Sequence, residues 1–428
     1  MNKKILSSFL ILFLSLYIFA NTQTAEYATA FSSILTEMNQ FDVTAFNHGE
    51  SAAERCRFIL KDSWNITNYD QLMAQVLDLT VSGQNKSYMF LAELIDKNKG
   101  LSPIEIIKKE CLNSYEGVRL FYVCNVKDRL GFAGIEAWDY ARSLNLLRWG
   151  ISAGYITEEE ALQLSEAIVD YLIQVYATWD DFFAHYVAGR QFFSVTDGKA
   201  KEYAQAAVDS CKKVMKKIDF ENLPLSGTPE TALLKFDDPS LLYEPSKDAK
   251  QWYEVHLLYK NRSDKNAAKT YSKLGDIKKK YPEYADIPFV EYFDAILTSS
   301  QKRSSDIWRC TLIYDKLKKQ LEGIPNDRAL AKSIHIDFAR INLALNSPEK
   351  ALACLAALPE EISSTGYFQM LKGVSYLYLI GTSPDFEVNA NYESNAYQAL
   401  SSAESQEYPL SDSTLQWMRE YERKRDSN

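Results

Sequence analysis

Asp139, Arg142, Asp181, His185 and Arg190 are the residues of this 428-residue chain whose types and spacing could do chemistry. Asp181 and His185 stand four apart, the helical spacing at which a carboxylate can orient an imidazole for proton transfer. Arg142 and Arg190 are permanent cations suited to an oxyanion. Lining one cleft, the five would bind an anionic group with His185 as proton carrier, the equipment of a hydrolase or transferase acting on an anionic substrate. The same residues also read as packing, and this is the leading reading. Trp138, Arg142, Leu146 and Trp149 share one helical stripe, and Trp179, Phe182, Phe183, Tyr186, Arg190 and Phe193 share another. A guanidinium among large apolar groups must meet a carboxylate or a ring, and Asp180 is the expected cross-helix partner of Arg142. On this reading Trp64, Trp138, Asp139, Arg142, Trp179, Asp180, Gly189 and Arg190 form an internal network. Gly154 would end one of its helices in the left-handed conformation.

Nothing elsewhere competes. The chain contains no GxSxG, HExxH, Walker A or GxGxxG motif. Its other histidines, His48, His256 and His335, read as structural or surface residues. The six cysteines (56, 111, 124, 211, 310, 354) show no CxxC and no histidine beside them, so neither a metal nor a cofactor is expected. Buried free thiols are the favoured reading, with Cys111 and Cys124, the nearest pair in sequence, as the alternative of a disulfide.

The elements that must position these groups are helical. Only 16 Gly and 12 Pro punctuate long alternations of Ala, Leu, Glu and Lys, and 46% of residues are hydrophobic. Residues 1–20 read as a secretory signal: Lys3 and Lys4 precede the apolar run Ile5 to Phe19, with cleavage after Ala20 or Ala25. An uncleaved N-terminal anchor is the alternative. Residues 26–218 form a first helical domain, with start signals at Ser102-Pro103-Ile104-Glu105 and at Thr157 to Glu160. Pro224, Pro229, Pro239 and Pro245 then break the periodicity across a connector, 219–248. That connector is apolar enough at Leu234, Phe236, Leu241 and Tyr243 to pack as a strap. Residues 249–428 return to helical pairs.

Trp64-Asn-Ile, Ala137-Trp138-Asp139-Tyr140-Ala141-Arg142, Ala153-Gly154-Tyr155-Ile156-Thr157, Trp179-Asp180-Asp181 and Gly189-Arg190-Gln191-Phe192 occur in that order. Over about residues 55–195 this pattern resembles the bacterial domain of unknown function DUF1266. One departure is Phe193, where many relatives carry a Trp after Gly-Arg. The resemblance implies an all-helical domain and brings no substrate, cofactor or catalytic residue with it. In the second half, Phe338 to Asn346 followed by Ser347-Pro348 and Ala351 to Leu355 resembles a tetratricopeptide unit, and Gly373, Tyr376, Ala396, Leu400 and Ala403 suggest another copy. The fold class expected is all-α: a DUF1266-like domain followed by a helical-hairpin array.

The formal charge of −9, or −11 once Lys3 and Lys4 leave with the signal, argues against nucleic acid and anionic membranes as partners. The leading expectation is an exported, periplasmic or secreted protein that binds a protein or peptide and is not an enzyme, a role its 27 tyrosines suit. The alternatives are the hydrolase or transferase above, and an effector or immunity factor in bacterial competition. The sequence leaves oligomeric state open.

Overall fold

Helix α7 (Glu136–Ala153) buries nearly every side chain it has, and the first half of the molecule is organised around it. A helix buried on all sides packs on more than one face, and the Trp138, Arg142, Leu146 and Trp149 stripe is only one of those faces. The computed structural model describes residues 22–228, 233–300 and 304–426. Among these the chain forms α1 (22–38), α2 (Ala53–Trp64), α3 (Tyr69–Ser82), α4 (Gln84–Lys97), α5 (Pro103–Lys109) and α6 (Ser114–Leu130). After α7 come α8 (Glu158–Val175), α9 (Trp179–Ser194) and α10 (Ala200–Val214). The second half contains α11 (Lys247–Lys260), α12 (Ala267–Lys280), α13 (Pro288–Ser299), α14 (Ser304–Gln320), α15 (Ala329–Ala344) and α16 (Pro348–Ala356). It ends with α17 (Glu360–Ser363), α18 (Gly366–Leu379), α19 (Phe386–Ser405) and α20 (Asp412–Asp426). No strand occurs among the described residues, and the all-α expectation holds. The signal residues 1–20 and Pro229 lie outside the described residues.

The chain divides into two units: residues through Gly100 with Val118–Lys250, and Leu101–Gly117 with Gln251–Asn428. In the first, α7 packs against α2, α3, α4, α8 and α9. Glycines make the closest crossings. A Cβ on Gly189 of α9 would lie 2.2 Å from the Trp138 Cβ, and one on Gly150 of α7 would lie 2.5 Å from Leu72 of α3. Thr157 and Glu160 make a full capping box at the start of α8, while Gly154 closes α7 at φ 78°. Residues 219–228 and 233–248 pack onto this unit. Leu234, Phe236, Leu241 and Tyr243 are buried, and the Gln191 side chain donates to the Leu241 carbonyl and accepts from the Tyr243 amide.

The second unit recruits α5, whose capping box is Ser102 with Glu105. Trp252 Nε1 donates to the Ser114 carbonyl at 3.2 Å, fastening this early segment beside α11. Successive helices then pair: α13 with α14, α15 with α16, and α18 with α19. Small residues set the spacing. Ala339 and Ala351 are fully buried in the α15–α16 pair, and a Cβ on Gly373 would lie 2.5 Å from Leu400 Cγ across α18–α19. Asn346, at φ 54°, turns the chain between α15 and α16. No helix among the described residues is long and apolar enough to cross a membrane, and no cluster there has the makings of a metal site.

Candidate functional site

Asp139 enters α7 one turn above its start and points its carboxylate at the first amides of α4. Its Oδ2 accepts from the Asn85 amide at 2.7 Å, at a helix N-terminus whose dipole favours an anion. Gly83 gives it room, since a Cβ there would fall 2.4 Å from Oδ2. Its Oδ1 accepts from Arg142 Nη2, and Arg142 Nε also donates to the Trp138 carbonyl at 3.2 Å. Burial pushes the Asp139 carboxyl up, opposed by Arg142 and the α4 amides, and pushes the Arg142 guanidinium down, opposed by Asp139. Asp180 therefore does not partner Arg142, contrary to the sequence expectation. The spacing of three on one helix suffices, and Asp180 instead feels Lys235 and Asp237 of the connector.

Trp138 is shared by both arginines. Its ring centroid lies 4.7 Å from the Arg142 guanidinium carbon and 5.3 Å from that of Arg190. Arg190 also stacks over Tyr203 at 4.5 Å and Phe193 at 6.0 Å. It forms no ion pair among the described residues, and its Nε–H is buried without an acceptor. These groups line an open groove of about 720 Å³, contained within the first unit and bounded by α1, α2, α3, α7 and α9. Trp64, Trp138, Trp149 and Phe193 supply aromatic wall. Asp62, Asn39, Asn65 and Gln75 supply polar rim. The indole Nε1–H groups of Trp138 and Trp149 are likewise buried without a partner.

Asp181 and His185 lie elsewhere. His185 is sealed in the core, its Nδ1 2.7 Å from the Gly134 carbonyl and its Nε2 3.9 Å from Asp181. Burial lowers its pKa. Asp181 accepts from the Leu234 amide of the connector at 3.2 Å. The five candidates thus divide: Arg142 and Arg190 line the groove, Asp139 braces Arg142 from behind, and the Asp–His pair faces inward. Trp179 is also remote, packed on Phe31 and Phe220 with its Nε1 donating to the Leu223 carbonyl at 2.7 Å.

Arg148 and Glu136 are among the buried ionisable groups that the sequence reading did not single out. Arg148 is fully buried yet meets no carboxylate. Its Nη1 donates to Ser32 and Thr36 hydroxyls at 2.7 Å each, its Nη2 to the Ala45 carbonyl at 2.6 Å and its Nε to Phe46 at 3.2 Å. Burial brings its pKa down to about 9. Its position inside the apolar run Leu146-Leu147-Arg148-Trp149 was a readable signal. Glu136, at the start of α7, is pushed by burial up to about 7, partly offset by the Tyr171 hydroxyl donating at 3.0 Å. In sequence it looks like any acid in a first helical turn. All six cysteines are free thiols, and burial raises Cys56, Cys111 and Cys124 to about 11.

Part of the chain around this groove is similar to a known family. Residues 59–224 fit the family described as protein of unknown function (DUF1266), which takes in α3 to α10 and most of the groove wall. Two Escherichia coli (strain K12) proteins are similar to about a third of the chain. The uncharacterized protein YbeR is 30% identical over 139 residues, 32% of this chain and 58% of that protein. The uncharacterized protein YbeU is 31% identical over 137 residues, 32% of this chain and 57% of its own length. The chain thus spans little more than half of these curated relatives. No solved structure matches it significantly.

Proposed function

We propose that this is an exported, non-enzymatic recognition protein that binds a protein or peptide partner, with the Trp138–Arg142–Arg190 groove as its site. One observation carries the reading. Arg190 is an unneutralised cation in an aromatic-walled groove whose other arginine already has its carboxylate. A cation held without a partner is an unfilled requirement that a ligand can meet. The groove is lined by no histidine and no cysteine, and His185, on which the hydrolase or transferase reading relied, does not reach it. The helix pairs of the second unit, with buried Ala339, Ala351 and Gly373 at their contacts, fit a tetratricopeptide-like array offering a further surface. Export rests on the sequence pattern of residues 1–20.

The test is comparative capture from the source organism's periplasm or medium. Wild-type protein should retain a partner that the Arg190→Gln protein loses. If both proteins capture the same set, the groove is not the recognition site.

A further inference from the structure

We infer that the groove is built for a single carboxylate carried on an apolar or aromatic body. This rests on the recognition reading above and goes on to name its ligand chemistry. Two N–H groups at one end of the groove are buried with no acceptor: Nε of Arg190 and Nε1 of Trp138, whose ring centroid lies 5.3 Å from the Arg190 guanidinium carbon. Both are donors, so the missing partner is an acceptor, and the guanidinium selects an anionic one. Unsatisfied buried donors are rare in folded proteins and call for an explanation. An oxyanion would satisfy them.

Charge balance selects a monoanion. Asp139 already matches the Arg142 charge, which leaves Arg190 as the one cation to neutralise. A dianionic phosphate would bring a second negative charge towards Asp62 on the rim and Asp139 behind the wall. A carboxylate brings one charge and two acceptor oxygens, which suits a planar guanidinium. The remaining wall is apolar: Trp64 and Phe193, with Leu35, Met38 and Ile59. A volume of about 720 Å³ accommodates a side chain beyond the carboxylate. The C-terminus of a peptide ending in a large apolar residue and a free aryl carboxylic acid share this chemistry.

Titration calorimetry on the full mature chain tests it with four probes: N-acetylphenylalanine, its carboxamide, acetyl-Ala-Ala-Phe with a free carboxylate, and inorganic phosphate. The free acid should bind, and the amide should bind about tenfold to a hundredfold more weakly. Phosphate should neither bind nor compete. Tighter binding of the tripeptide than of the single residue points to a peptide terminus as the source, and equal binding points to a small free acid. Arg190→Gln should abolish the preference for acid over amide while lowering the melting temperature by no more than its lost ring stacking accounts for, and Arg190→Lys should restore part of it. Acid and amide binding alike, neither binding, or phosphate binding in their place overturns the inference. If partner capture still depends on Arg190 in that event, the recognition reading survives without it. If capture is also indifferent to Arg190, both fall.

Discussion

Asp139 and Arg190 carry opposite charges and opposite roles. Removing Asp139 strands a buried guanidinium and frees the first amides of α4, so Asp139→Ala is expected to cost about 3–5 kcal/mol. Chemical denaturation should show that loss, and Arg142→Ala should approach it. Arg190→Gln forfeits only stacking on Trp138 and Tyr203, on the order of 1 kcal/mol. Equal losses in the two positions would contradict this division. Glu136 predicts a pH dependence. Its folded pKa of about 7 lies above its unfolded value, so the protein binds the extra proton when folded. The associated stability is fully present below about pH 4.3 and is lost as pH rises through 7. Glu136→Gln should therefore raise the melting temperature at pH 8 and leave it nearly unchanged at pH 4.5. His48, lowered by burial to about 4, works in the opposite direction between pH 4 and 6.5, so the comparison must be with the variant and not within the wild type. The pairing of Asp139 with Arg142 was open to sequence because the spacing is local. The burial of Glu136 was not, because it depends on Tyr171 on another helix.

Helix α9 shows what one small residue does for an element. Gly189 lets α9 lie against α7 at Trp138, and the same crossing sets the two guanidinium groups around one indole ring. Gly189→Ala should push the helices apart and cost upwards of about 3 kcal/mol, the upper part of the overpacking range. It should also redden the tryptophan fluorescence as Trp138 gains water. An unshifted spectrum with full stability would show that the crossing is softer than drawn. The helical stripes on α7 and α9 were legible from periodicity, and so were the boxes that start α5 and α8. Periodicity could not say which helix faces meet. The expectation therefore joined Asp181 and His185 to the arginines, although they lie on the opposite face of α9, against Gly134. It likewise paired Arg142 with Asp180, which faces the connector instead.

The whole molecule is threaded in an order that composition does not reveal. Pro-rich sequence marks residues 219–248 as a break, yet in space their described residues complete the first unit. A chain ending at residue 218 would expose the surface covered by Leu234, Phe236, Leu241 and Tyr243. It should be on the order of 6 kcal/mol less stable, by burial of four large side chains, than one ending at 250. Limited proteolysis of the two fragments should show the shorter one cut faster, and equal resistance would mean the connector contributes little. The family match over 59–224 contains residues 101–117, which here belong to the second unit. The polypeptide thus enters the second unit, leaves it and returns. Ser114, made early, meets Trp252 of its own unit only once the chain has run 138 positions further. Neither unit can be transplanted by a single splice, because three junctions would have to be cut at once. Such interleaving means that any single cut between residues 101 and 250 leaves a piece of one unit stranded on the other.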